Sequence, residues 1–222
     1  MAEFFAKYSV LLGEGILETL YMTLVPTLFA YLLGLPMGVL LTVTKAGGVR
    51  PAPRFNAVFG WVVNILRSLP FMILMIFIIP FTRLIAGTSI GAAAACVPLT
   101  IAAAPFVARM VEQSLEEIDA GVVEAARCMG ATDLQIVTRV LLVESVPSLL
   151  RGLSISTITL LGYTAITGAV GAGGLGNIAF RFGYQRYQDD VMYVTVVLLI
   201  LLVCIIQAIF NRLASRADKR NR

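Results

Sequence analysis

The stretch TLYMTLVPTLFAYLLGLPMGVLLTVT (Thr19–Thr44) contains no Asp, Glu, Lys or Arg. Coiled as a helix it would rise about 39 Å, more than the roughly 30 Å of hydrocarbon in a bilayer. Four further stretches are similar. Phe55–Thr82 is interrupted only by Arg67, while Leu84–Ala108, Gly152–Phe180 and Val191–Asn211 carry no charge. The reading is an all-α polytopic membrane protein of five spans, near 19–44, 55–82, 84–108, 147–170 and 191–211. The chain is taken as a single domain over 1–222, with a helical cytoplasmic loop at 109–146. Ten-residue alternation typical of a membrane barrel is missing. Composition agrees: of 222 residues 59% are hydrophobic and 14% charged, against about 25% charged in soluble domains. A water-soluble enzyme is excluded.

Basic residues set the orientation, since cytoplasmic loops are enriched in Lys and Arg. With the N-terminus outside, the cytoplasmic set is Lys45, Arg50, Arg54, Arg109, Arg127, Arg139, Arg151, Arg212, Arg216, Lys219, Arg220 and Arg222. Only Lys7, Arg83, Arg181 and Arg186 fall outside. N-out and C-in follows. Glu3, Glu14 and Glu18 stand where a cleaved signal would be basic, so none is expected. The tail Arg212–Arg222 reads as an anchor near anionic lipid, not as a nucleic-acid site.

The spans offer little chemistry. Histidine is absent from the chain, which removes the commonest general base and metal ligand. Cys96, Cys128 and Cys204 share no metal or disulfide spacing and read as apolar fillers. Proton-driven carriers often hold acids within the membrane, yet only Arg67 interrupts these spans. It either snorkels to headgroups or faces a wet path or partner helix. The energy source is therefore expected on another chain. No phosphate-binding loop of the G-x-x-x-x-G-K-[ST] type exists. Gly171-Ala-Gly173-Gly-Leu-Gly176 fits G-x-G-x-x-G but lacks the strand and the soluble unit that a dinucleotide site requires, so it reads as a structural or gating turn. Pro26, Pro36, Pro70, Pro80, Pro98 and Pro105 are expected to kink their helices. Gly34-x-x-x-Gly38 and Gly87-x-x-x-Gly91 would permit close helix approach.

Charges crowd between Arg109 and Arg151. Ser114-x-x-Glu117 and Thr132-x-x-Gln135 have capping-box form. Asp119 is placed to cap a short helix, Ala120–Met129, stopped by Gly130; a second helix would cover Asp133–Val143. On the first helix Val122, Ala125, Ala126 and Met129 make one narrow apolar face, with Glu124 and Arg127 off it. Periodicity alone leaves two uses open: passing a push from a partner into the membrane, or lying on headgroups.

Glu124-Ala125-Ala126-x-x-x-Gly130 resembles the E-A-A-x-x-x-G motif of bacterial type I ABC importer permeases. The family pattern continues as I-x-L-P, where this chain has Val140, Leu141, Leu142 and Val143, so the proline is missing until Pro147. Arg67-Ser-Leu-Pro-Phe71 is similar to a segment of the amino-acid permeases in this superfamily. The run Gly168–Gly176, with Tyr184 and Asp190-Val-Met192, resembles the permeases of methionine importers. The resemblance implies a coupling helix, carried by Val122, Glu124, Ala125, Ala126, Met129 and Gly130, docked in a cleft of a cytoplasmic ATPase. It further implies a homodimer in the bacterial inner membrane, two ATPase subunits holding ATP and Mg, an external binding protein, and no enzymatic role for this chain. The imported substrate would be an amino acid, methionine of either chirality first, moved by alternating access.

Tyr163, Thr164, Ile166, Thr167 and Gly168 in the fourth span are candidates to line the pathway or gate it. Plain helix packing, with the hydroxyls bonded to backbone carbonyls, is the competing account. Two other functions stay open: an ion-coupled secondary carrier, which usually shows an internal repeat, and a membrane assembly subunit without transport.

Overall fold

The structure, a computed structural model, describes residues 2–217, with side chains from Tyr8 onward. The side chains of Glu3, Lys7, Lys219, Arg220 and Arg222, used above for topology, lie outside the described residues. No strand occurs among the described residues. The helices are α1 (Ala2–Thr44), α2 (Pro53–Ser68), α3 (Phe71–Phe77), α4 (Ile79–Ala86), α5 (Ala92–Glu116) and α6 (Ala120–Cys128). A composite follows: α7 (Asp133–Gln135), a π-helical stretch (Ile136–Leu141) and α8 (Leu142–Glu144). Then come α9 (Val146–Ala169), α10 (Gly174–Ile178), a second π-helical stretch (Ala179–Tyr184) and α11 (Asp189–Ala217).

Four helices are long and apolar enough to cross a membrane, and the bent pair α2 with α3 would make a fifth. That pair replaces the continuous span expected over 55–82. Pro70 has no N–H to donate and pushes Leu69 out of the helical region, to ψ 123°. A second interruption at Ile78 precedes Pro80, which opens α4. Leu84–Ala86, expected in the third span, belong to α4, and α5 begins only at Ala92. The latter continues past Arg109 to Glu116, so the polar segment starts inside a helix. Pro26 and Pro36 sit inside α1, and Pro98 and Pro105 inside α5, without ending either helix.

The described residues group into two compact units: the chain up to Leu28 with Pro70–Ala102 and Thr157–Gln207, and Phe29–Leu69 with Ala103–Ser156 and the end of α11 from Ala208. In the first, Tyr8, Leu12, Leu175, Ile178 and Val191 form a buried apolar cluster. The Tyr8 hydroxyl donates to Gln188 at 3.0 Å, and its ring meets Phe182 edge-on. In the second, Leu41, Val63 and Ala108 are the cluster. Gly34 and Gly38 let α1 approach α5 there: a Cβ on Gly38 would lie 2.5 Å from the Ala108 carbonyl oxygen. Gly87 and Gly91 do not pack helices. Both have positive φ (72° and 97°) and punctuate the chain between α4 and α5.

Candidate functional site

The segment that follows α5 is built from local signals. Asp119 has extended backbone and accepts a hydrogen bond from the Gly121 N–H at 2.6 Å, which caps α6. At the other end Gly130 adopts φ 81°. Its N–H donates to the Arg127 carbonyl, and the Ala131 N–H donates to the Ala126 carbonyl. These two bonds are the Schellman closure, and the left-handed residue is the glycine that pays no Cβ penalty. Thr132 then opens α7 with a complete capping box: its hydroxyl accepts from the Gln135 N–H, and the Gln135 side chain accepts from the Thr132 N–H. The other expected capping box fails. Ser114 is buried inside α5, where it accepts a hydrogen bond from Ser148 at 3.1 Å. Pro147 and the turn at Ser145, rather than Val143, separate the composite helix from α9.

The apolar face expected on α6 is divided. Ala126 is buried at 4% exposure, while Val122, Ala125 and Met129 are exposed, Met129 at 81%. Glu124 is exposed as well. One face therefore turns inward at Ala126, and the residues to either side of it, with Met129, are uncovered. An amphipathic helix normally hides its large apolar side chains; here they stand free. Cys128 is also exposed on α6 and Cys204 on α11, so only Cys96 is the buried filler expected of all three.

Sequence reading missed the polar frame that holds this segment. Arg127 donates to the Val49 carbonyl at 2.8 Å and more weakly to that of Gly48 at 3.4 Å. Lys45 pairs with Glu116 at 2.7 Å. Asn56 donates to the Leu41 carbonyl and the Thr44 hydroxyl. Arg109 pairs with Glu112 at 2.6 Å and donates to the Gly60 carbonyl and the Asn64 side chain, each at 2.9 Å. Apart from the local Arg109–Glu112 pair, the partners of Arg127, Lys45 and Arg109 lie 45 to 79 residues away, beyond any local pattern. A usable hint was the basic residue at the last turn of a helix, where side chains reach carbonyls.

The glycine run is a turn, as expected. Gly171, Gly173 and Gly174 have φ of 94°, 92° and 76°. The Glu18 carboxylate accepts from the Gly174 N–H at 2.6 Å, and the Thr19 hydroxyl accepts from the Leu175 N–H at 2.9 Å. Glu18, the last charge before the uncharged run, thus caps α10. Among the pathway candidates, Thr164 and Thr167 are buried and give their hydroxyls to the carbonyls of Leu161 and Thr164. Gly168 is buried, and its carbonyl accepts from Asn177. That is the packing alternative. Tyr163 is half-buried and stacks on Phe71 with ring centres 4.4 Å apart, and Ile166 is exposed. Arg67 lies in the last turn of α2 with its guanidinium 6.0 Å from the centre of the Phe106 ring. No group of metal-ligating side chains occurs among the described residues.

A model of the family "Binding-protein-dependent transport system inner membrane component" matches residues 30–222. The chain belongs to this family. This permease is a multi-pass inner membrane protein. It is 50% identical over 220 residues to "Probable D-methionine transport system permease protein MetI" of Vibrio cholerae, covering 99% of this chain and 98% of that one. It is 54% identical over 158 residues to the "D-methionine transport system permease protein MetI" of Yersinia pestis, covering 71% and 73%. A solved structure of the MetNI methionine ABC transporter in inward-facing conformations aligns at a TM-score of 0.94 and 50% identity, covering 96% of this permease and 98% of that chain.

Proposed function

We propose that this chain is the membrane-spanning permease subunit of an ATP-driven methionine importer. Two copies form the pathway, and two separate cytoplasmic ATPase subunits bind ATP and Mg and hydrolyse the nucleotide. A binding protein outside the membrane delivers the amino acid. The N-terminus lies outside and the C-terminus in the cytoplasm. The observation that carries the reading is α6: a helix fixed by caps at both ends, with Val122, Ala125 and Met129 uncovered and Glu124 beside them. These residues, with Ala126 and Gly130, form the docking element, and the likeness to methionine permeases supports the substrate.

In this mechanism the chain performs no bond chemistry. ATP binding draws the two docked α6 helices together, and the caps make each helix move as a rigid element. The motion passes directly into α5, three residues away along the chain, and through the composite helix of Asp133–Glu144 into α9. Ile166 and Tyr163 are the pathway candidates whose surfaces are least committed to packing within one chain. Thr164, Thr167 and Gly168 keep their part of α9 rigid.

Co-expression of the full chain with its ATPase subunit tests the proposal. A stable complex that imports methionine into vesicles only with ATP and Mg inside the motor compartment supports it. A chain that binds no ATPase subunit, or takes up methionine under an ion gradient without ATP, overturns it.

A further inference from the structure

The covalent chain joins α6 to α5 and to the helices leading into α9, but not to α1 or α2. Among the described residues, Arg127 is the side chain of α6 that donates hydrogen bonds to the turn between α1 and α2. That turn is itself bonded back onto the end of α1. The Gly48 N–H donates to the Lys45 carbonyl, the Arg50 N–H to that of Val43 and the Ala52 N–H to that of Thr44. Asn56 then ties α2 to the last turn of α1 through Leu41 and Thr44. A cavity of about 170 Å³ lies between the inner side of α6 (Ala120, Val123, Arg127) and the turn (Lys45, Gly48, Val49). Close apolar packing is therefore not what couples the two. Both bonds come from one guanidinium nitrogen, Nη2, 2.8 Å from the Val49 carbonyl and 3.4 Å from that of Gly48, so this one cationic donor ties the turn to α6.

We propose that Arg127 is a positioning residue for energy coupling: by holding the Gly48 and Val49 carbonyls it makes the α1–α2 turn travel with α6. The stroke of the docked helix is thus delivered to α1 and α2, as well as to its covalent neighbours. This rests on the reading of α6 as the docking helix. Without Arg127 the helix still docks and hydrolysis continues, while α1 and α2 lag.

The test uses the complete complex in vesicles. In Arg127→Gln, assembly and ATP hydrolysis persist while methionine imported per ATP falls about tenfold, the scale set by losing a charge-assisted hydrogen bond. Arg127→Lys, which keeps the charge and a donor for the Val49 carbonyl on a shorter side chain, recovers part of the ratio. An unchanged ratio in Arg127→Gln overturns the proposal. A second measurement holds even where that variant fails to assemble. Spin labels are placed at Ala46→Cys and, separately, at Asp133→Cys, with Cys128→Ser and Cys204→Ser removing the exposed native thiols. The two copies of each label are then measured with and without trapped ATP. Both separations change together in the arginine-containing protein if the turn follows α6. A shift at residue 133 with none at residue 46 overturns the proposal alone. No shift at residue 133 overturns the docking reading beneath it.

Discussion

Gly130 shows most directly how one residue type carries a mechanical role. At φ 81° it has nothing within 4 Å of where a Cβ would point, so the obstacle to substitution is backbone conformation and not space. Gly130→Val should cost about 1–2 kcal/mol in the left-handed region and loosen the end of α6. The expected outcome is continued ATP hydrolysis with reduced methionine uptake, read as the ratio of the two in vesicles; full uptake would refute the role. Gly38 presents the opposite case. Its φ is ordinary, but an added Cβ would press on the Ala108 carbonyl and the Val111 side chain. Gly38→Ala should lower the melting temperature of the purified complex, whereas Gly13→Ala, with open space around it, should be neutral or stabilising by about 0.5–1 kcal/mol.

At the scale of the element, the ends of α6 and α7 were legible because capping is local. Asp119, Gly130 and the Thr132–Gln135 pair each act within three or four residues of themselves. Asp119→Ala should destabilise α6 by about 1 kcal/mol, seen as faster amide exchange across residues 120–128 with the exchange of α5 and α9 unchanged. Equal exchange in the variant would show that the cap is dispensable. The same locality explains the failures. Ser114-x-x-Glu117 has the capping pattern, but helix α5 runs through it because Ser114 is buried against Ser148. The apolar length of 55–82 suggested one span, while the pre-proline restriction at Leu69 divided it. Hydropathy counts residues and is blind to where the backbone can stay helical.

For the molecule as a whole, the family and the apolar helices make it an inner membrane permease. Powered by a separate ATPase, it should accumulate methionine in vesicles whose ion gradients have been collapsed by ionophores; loss of uptake under that treatment would contradict the assignment. Topology has its own check. Cys128 is exposed on α6, so in intact cells a membrane-impermeant thiol reagent should spare it, and should modify it once the cytoplasmic side is opened. Labelling from outside would place α6 on the wrong face of the bilayer for an ATPase.

The amino-acid sequence alone determined that the chain is helical and lives in a membrane, because charge exclusion over about 20 residues is a one-dimensional property. It also determined the α6 caps and the turn character of the glycine run, since each depends on neighbours along the chain. Only the tertiary structure decided which side of α6 is covered, that Glu18 and Thr19 seat the N-terminus of α10, and that Arg127 reaches the carbonyls of Gly48 and Val49. Those contacts join residues 78 to 156 positions apart. A side chain finds such partners through the packing of whole helices, and no periodicity in the sequence records the result.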